Sequence, residues 1–370
     1  MKKLKFGFVG ANFTTKHLQN ELVKSYTVVV WSHSKPDDPF SNLIDFRQVY
    51  TPWSWLRDYL RKIGSQVGLP FYYQGLLREL WNIKPDVLIV LDFYKLWFVQ
   101  ALVYKLFHPE AKLIIHSETK KAPAFIMSKV LFFLMVFLVK IFSKKISHII
   151  TFSEAGTEYL KNIFPAININ HLVLPIDENT PLYSKNTHGG KIKILMPARF
   201  IALKRHMDVI RAAEKISPDK DTEIHFATFS HDASPYRESL VRNLAKSPAR
   251  HLIKIIDPIL PPFSNYYDML EKYDAIILPS ENEGLGAVVP AALRCGKVAI
   301  ISDMVPASMY MPESHKKYIF AVGDTEKLSR LFNSLQKETL FRDGQIAATH
   351  VRTNFSSERI VAKFLSFIKT

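Results

Sequence analysis

A single cysteine, Cys295, among 370 residues leaves no internal disulfide and no multi-cysteine metal site, which fits a reducing compartment. It stands one residue before Gly296 at a predicted helix end and reads as a small packed residue rather than a nucleophile. No H-E-x-x-H pair, Walker A loop or G-x-S-x-G elbow occurs, and no His, Asp and Glu residues fall at metal-ligand spacing. Metal-dependent and acyl-transfer chemistry therefore lack sequence support, and neither a metal nor a resident cofactor is expected. Long apolar runs are missing too: Val130 to Val139 is ten residues, about half of a bilayer span. Met1 to Lys5 is basic, yet Phe6 to Val9 is too short for a signal-peptide core and runs into a polar turn, so a cytoplasmic protein is expected.

Acidic residues are scarce in the first half. Residues 1 to 170 hold 22 Lys and Arg against 12 Asp and Glu, so most of the net charge of +15 lies there. No acid occurs between Glu118 and Glu154, where Ala122 to Phe142 reads A-P-A-F-I-M-S-K-V-L-F-F-L-M-V-F-L-V-K-I-F, with Lys120, Lys121, Lys129, Lys140, Lys144 and Lys145 in or beside it. Two readings fit this segment, residues 120–145. It is either a basic helix lying in the interface of an anionic membrane, attracted at about 1 kcal/mol per lysine, or a buried core helix with solvated flanks. The first makes an anionic membrane surface a partner and places the protein peripherally on the inner face of the cytoplasmic membrane. The charge also admits a nucleic-acid-binding protein as an alternative. No basic stripe interleaved with aromatics, zinc spacing or helix-turn-helix pattern accompanies it, and nucleic acid is not expected as a partner.

What is present is a repeated α/β pattern. The length exceeds what one core usually supports and predicts two domains. Strand-length apolar runs at Phe6 to Val9, Thr27 to Trp31, Val87 to Leu91, Leu113 to Ile115 and His148 to Phe152 alternate with helical patterns at Thr15 to Lys24, Gln74 to Trp81 and Leu96 to Phe107. Ile192 to Met196, Ile224 to Ala227, Ile253 to Ile256, Ala275 to Leu278 and Val298 to Ile301 repeat the plan. Such alternation predicts parallel sheets with crossover helices, here two Rossmann-like doubly wound domains. The expected division is residues 1–172, a polar linker at 173–190, a second domain at 191–352, and a terminal segment 353–370 with a helix at Ser357 to Ile368. Ligands of open α/β sheets bind beyond the carboxyl ends of the strands, so two such domains would face each other across a cleft lined by strand-end loops.

Two of those loops carry candidate chemistry. Asp274 to Gly296 reads D-A-I-I-L-P-S-E-N-E-G-L-G-A-V-V-P-A-A-L-R-C-G: a strand, an acidic glycine-punctuated turn at Glu283-Gly284-Leu285-Gly286, then a small-residue helix from Ala287 onward. Helix amides without intrahelical partners accept an anion, and the two glycines let backbone approach a ligand. Glu283, being itself an anion, suits hydroxyl groups; it is equally explained as a cap of the following helix. After Ile192 to Met196 comes P-A-R-F-I-A-L-K-R-H, with Arg199 at the strand end and Lys204 five residues later, two cations able to meet one anion. A solvated basic turn is the plainer reading of that stretch alone.

Asp274 to Gly296 resembles the signature of the retaining GT-B glycosyltransferases of the family 4 type, known as glycosyltransferase group 1. Arg199 and Lys204 resemble the same family's G-R-x-x-x-x-K element, with Ala198 in place of its glycine. The resemblance implies a GT-B fold and a nucleotide-sugar donor serving as co-substrate, held by the carboxy-terminal domain. Glu283 would contact donor hydroxyls, Arg199 and Lys204 the diphosphate, and the amides at Gly286 and Ala287 the distal phosphate, with Gly284 and Leu285 also on the donor-binding turn. The family's second glutamate falls at Ala291, a departure that bears on the ribose end of the donor. Gly10 begins a loop, G-A-N-F-T-T, resembling the family's glycine-rich first loop, and also reads as the lead-in to an N-cap at Thr14 or Thr15. His116 stands where the family commonly has a histidine facing the donor sugar. Asp92 resembles the acidic end of a P-D-h-h-h-h-h-D element; with Glu118 it is an acceptor-side candidate, and loop capping explains it as well. Departures also occur at Phe229 to Ala233 and near Asp257, where the family usually has glycines.

The function implied is sugar transfer with retention of configuration and without a metal, through a front-face route in which the leaving phosphate assists deprotonation of a lipid-linked or envelope glycan acceptor. Alternatives are a catalytically altered GT-B protein, which Ala291 keeps open, and a nucleotide-sugar epimerase or hydrolase, for which no additional acid/base pair is visible.

Overall fold

The computed structural model describes residues 3–10, 13–32, 44–48, 73–119, 122, 126–173, 180–183, 190–229, 234–256, 258–259 and 264–369. The chain divides into two units, residues 1–175 with 357–370, and residues 176–356.

Among the described residues the first unit has seven parallel strands: β1 (Lys5–Val9), β2 (Thr27–Ser32), β3 (Asp45–Gln48), β4 (Val87–Leu91), β5 (Lys112–Ser117), β6 (Ile146–Thr151) and β7 (Ile169–His171), in the order β3-β2-β1-β4-β5-β6-β7. Helices α1 (Phe13–Leu22), α2 (Leu76–Ile83), α3 (Leu96–Phe107), α4 (Ile126–Ile141) and α5 (Glu154–Ile163) form the described connections. β4 reads V-L-I-V-L and is buried along almost its whole length, the mark of a strand covered on both faces rather than one. The Ser153 hydroxyl starts α5 by accepting the Gly156 amide at 3.2 Å. Trp31, Phe98, Ile115, Phe132 and Phe164 belong to the core on one side of this sheet.

Among the described residues the second unit has six parallel strands: β8 (Ile192–Pro197), β9 (Thr222–Ala227), β10 (Ile253–Ile255), β11 (Ala275–Leu278), β12 (Val298–Ser302) and β13 (Ile319–Phe320), in the order β10-β9-β8-β11-β12-β13. Its helices are α6 (His206–Ala213), α7 (Pro235–Lys246), α8 (Ser264–Leu270), α9 (Val288–Arg294), α10 (Thr325–Ser334) and α11 (Lys337–Asn354). Cys295 follows α9, fully buried, and burial pushes its thiol up to about 12, as befits a packing residue.

Three strands had no counterpart in the sequence pattern: β3, β7 and β13. Each is a sheet edge, where a short strand needs no apolar run. Two boundaries also move. Most of the expected linker, 174–179 and 184–189, lies outside the described residues, but Thr180 to Tyr183 is not free linker: the Tyr183 hydroxyl donates to the Tyr267 carbonyl at 2.8 Å, and the Thr180 carbonyl accepts from Arg352 at 2.9 Å. The second unit runs to Ser356 rather than 352, because α11 continues to Asn354 and the Phe355 ring sits 4.7 Å from Tyr310. Positions 230–233 and 257, where the sequence departs from the resembled pattern, and Lys120 and Lys121 lie outside the described residues.

The last helix, α12 (Ser357–Lys369), belongs to the first unit and packs on α1. Phe364, fully buried, lies 6.3 Å from the Phe6 ring of β1, and the Lys112 ammonium of β5 donates to the Ile368 carbonyl.

Inside the second unit α11 crosses α9 at very short range. A Cβ at Gly344 would stand 2.0 Å from the Gly296 carbonyl oxygen, a backbone atom that no rotamer change can move. Gly344→Ala is therefore expected to destabilise the second unit by about 3 kcal/mol, the upper end of overpacking. Gly284→Ala, with nothing within 4 Å of the new methyl, is expected to leave stability unchanged; denaturant midpoints of the two variants check the contrast.

Candidate active site

Because every strand pair is parallel, the carboxyl ends of each sheet gather on one edge. In each sheet the strand order reverses once, between β8 and β11 in the second unit and between β1 and β4 in the first. Loops leaving those two strands diverge, and the crevice they leave is the usual ligand position of an open parallel sheet.

In the second unit the loops after β8 and β11 are stitched together. The Glu281 amide donates to the Leu203 carbonyl at 2.9 Å, and Arg205 Nη1 reaches the Glu281 carboxylate at 3.2 Å. The Lys204 ammonium is ion-paired with Glu283, whose same carboxylate oxygen accepts the Ser280 hydroxyl at 2.8 Å. Both partners are nearly buried, with side-chain exposures of 11% and 12%. Sequence reasoning gave these residues to different parts of a ligand; in the structure they hold each other. Lys204 ends a short 3-10 turn, Ala202–Lys204, and α6 begins only at His206, with Arg205 at φ 53 forming the corner. Arg199 is exposed, and its guanidinium has no partner among the described residues.

The loop that follows Glu283 is fixed by its backbone. Leu285 is buried, and its carbonyl accepts the Ala307 amide at 2.9 Å. Gly286 has φ +83, and a Cβ there would lie 2.9 Å from Val305 Cγ1, so this position requires glycine. Gly284 is exposed, lies outside the left-handed region and has open space around it, so its backbone makes no such demand. The amides of Gly286 and Ala287 have no acceptor among the described residues. Ala287 is the cap position of α9, which places Glu283 four residues ahead of it. Ala291 is buried within α9 and presents no polar group where the resembled pattern has its second glutamate.

In the first unit Gly10 follows β1, its amide donating to the Trp31 carbonyl at 3.0 Å while the Trp97 indole occupies the space a side chain would need; Ala11 and Asn12 lie outside the described residues. Asp92 follows β4 and is buried, at φ 58. Its carboxylate accepts from the Tyr94 hydroxyl at 3.0 Å, the Ser117 hydroxyl at 3.1 Å and the Glu118 amide at 3.3 Å. Burial, reinforced by the charge of Glu118, pushes the carboxyl up to about 6, while Lys95 and Tyr94 pull the other way. Burial also lowers the Lys95 ammonium. His116 is buried against Phe152, ring centroids 3.9 Å apart, and neither ring nitrogen has a hydrogen-bond partner among the described residues. Burial takes it down to about 3, so it is neutral at physiological pH. Glu118 is exposed. The structure thus joins Asp92 to the Glu118 amide and Lys204 to Glu283 directly, and adds Tyr94 and Ser117 as donors to Asp92 and Ser280 as a donor to Glu283, residues that sequence reasoning did not single out. Their only signal was proximity to the charged residue in the chain or at the end of the neighbouring strand.

Comparison with known proteins agrees with this architecture. Residues 182–350 match the family model described as glycosyl transferases group 1. Among curated proteins no sequence match was found. Of the solved structures, Anabaena HepE in complex with UDP and glucose superposes with a TM-score of 0.72 at 12% identity, covering 99% of each chain. A glycosyltransferase from Rickettsia africae gives 0.76 at 14% identity, covering 100% of this chain and 98% of its own. The lipopolysaccharide outer core galactosyltransferase WaaB gives 0.67 at 12%, covering 99% of each. At such identities the likeness shows the fold, which is GT-B.

Two outcomes follow from the geometry. Asp92 holds its proton in the folded state over a range, about pH 4 to 6, in which the unfolded chain has released it, so its contribution to stability falls as pH rises through that window. Asp92→Asn keeps the acceptor oxygen and tolerates the backbone angle. It is expected to gain about 2 kcal/mol at pH 8 and nothing near pH 4, read from melting curves across that range. Lys204→Ala strands a nearly buried carboxylate and is expected to destabilise by about 1 to 3 kcal/mol, whereas Arg199→Ala stays within about 0.5 kcal/mol of wild type.

Proposed function

We propose that this chain, a group 1 glycosyl transferase over residues 182–350 carried on a GT-B fold, transfers a sugar with retention of configuration, and without a metal, from a nucleotide-sugar donor to a lipid-linked or envelope glycan at the cytoplasmic membrane face. The observation that carries the reading is the Lys204–Glu283 pair, which ties the two loops at the strand-order reversal of the second unit. The complex of Anabaena HepE with UDP and glucose supports a nucleotide-sugar donor, and the lipopolysaccharide core activity of WaaB supports a glycan acceptor.

The pair divides the work between two cations. An ammonium has three N–H donors, so Lys204 keeps Glu283 in place while offering a second donor to a phosphate oxygen. Its charge is largely balanced by Glu283. Arg199, with no carboxylate beside it among the described residues, supplies the uncompensated positive charge, and its planar fork suits a diphosphate. Negative charge builds on the leaving phosphate as the glycosidic bond breaks, and preorganised donors stabilise it without reorganising. Glu283 accepts from sugar hydroxyls, the Gly286 and Ala287 amides face the distal phosphate, and the leaving phosphate takes the acceptor proton. Asp92 and Glu118 belong to the acceptor side, and His116, neutral, is the sugar-facing donor or acceptor.

A thermal-shift series with UDP-, GDP-, ADP- and CMP-sugars tests the donor. A matched donor at a hundred-fold excess over its Kd stabilises the folded state by about 2.7 kcal/mol, and silence from all four overturns the reading. In the same preparation Arg199→Ala is expected to lower transfer by about a hundred- to a thousand-fold with its melting temperature unchanged; near wild-type turnover removes Arg199 from the site.

A further inference from the structure

The buried-core reading of α4 fails on one side of the helix. Phe132, Met135, Val136 and Val139 point into the first unit's core, with Phe132 5.4 Å from the Phe93 ring. Val130, Phe133, Leu134, Phe137 and Ile141 point away, and each is between 53 and 65% exposed. At 3.6 residues per turn these five cover roughly 100° of the circumference, a continuous apolar stripe. A stripe of large side chains left in water is the signature of a contact surface rather than of a solvated face.

Charge identifies the partner. Lys129 and Lys140 are exposed and fall together along one border of the stripe, and the exposed Lys144 and Lys145 follow the helix directly. The sequence holds no acid from Lys120 to Ser153, so nothing near in the chain neutralises them. An apolar face bordered by lysines and free of acids complements a surface that is apolar below an anionic layer. It does not match the mixed, hydrogen-bonding surface of a typical protein partner. α4 is also too short to go through a membrane, and no helix among the described residues is long and apolar enough to do so. A helix with this face would meet a membrane by lying in its interface.

We propose that α4 docks the first unit on an anionic lipid bilayer, its outward stripe seated at the level of the headgroups and upper acyl chains, with Lys129, Lys140, Lys144 and Lys145 meeting lipid phosphates. The acceptor reading above gives this contact a use, but the contact rests on α4 alone and is measured without donor or acceptor.

The test is cosedimentation of the full chain with phosphatidylglycerol vesicles and, separately, with phosphatidylcholine vesicles. The expected result is binding to the first that weakens as salt rises, with little binding to the second. Phe133→Ser combined with Phe137→Ser is expected to weaken binding by about ten-fold or more. Lys129→Glu combined with Lys140→Glu is expected to abolish the preference for the anionic lipid. All four side chains are exposed, so both variants should melt as wild type does, and the lysine pair still decides the matter should the phenylalanine pair fail to fold. No vesicle binding, or binding that neither variant changes, overturns the proposal. A dimer seen by light scattering that the phenylalanine variant dissociates, in a protein that ignores vesicles, also overturns it and assigns the stripe to a second copy. The thermal-shift series is independent of all these outcomes, so failure of the membrane contact and failure of the donor reading are told apart.

Discussion

The pairing of β8 with β11 is the constraint on which the second unit's site depends. Ala275 lies beside Ile194 although some eighty residues separate them, because the chain lays β9 and β10 on one side of β8 and then returns to its other side. Only that reversal puts the loop bearing Lys204 next to the loop bearing Glu283. The first unit repeats it with β1 and β4, where Gly10 and Asp92 end up at neighbouring strand ends. The chemistry of either site is thus a product of sheet topology, and the hydrophobic burial that fixes strand order fixes the site as well.

Electrostatics at the two reversals differ in kind. In the second unit a nearly buried carboxylate is offset by a nearly buried ammonium and a hydroxyl, leaving the exposed guanidinium of Arg199 as the available charge. In the first unit three donors hold the Asp92 carboxylate, yet burial outweighs them and leaves it easily protonated. One acid is thus offset by a cation, while the other is held by uncharged donors and readily takes a proton.

The interior strands were legible in the sequence because burial on both faces writes a dense apolar run, as V-L-I-V-L does for β4. β3, β7 and β13 were not, since an edge strand needs only one neighbour and D-F-R-Q, I-N-H and I-F carry no such run. At the site, Arg199, Lys204 and Glu283 were named from local spacing and from a family resemblance that matched residues 182–350 bear out. The direct contact of Lys204 with Glu283 was not readable, because spacing along one loop says nothing of which loop lies beside it. The glycines show the same limit: Gly284 and Gly286 looked alike in the motif, and only Gly286 sits at a left-handed angle against Val305. The apolar segment around Val130 to Val139 showed its composition in the sequence, but which side of the helix stays in water depends on where the sheet lies beneath it.

The return of α12 to the first unit has a consequence for how the molecule is made. Phe6 is translated before the second unit and its neighbour Phe364 only after the whole of that unit. The second unit is contiguous and can close its sheet while still tethered. The first cannot bring Phe6 against Phe364 until α12 has followed the second unit off the ribosome.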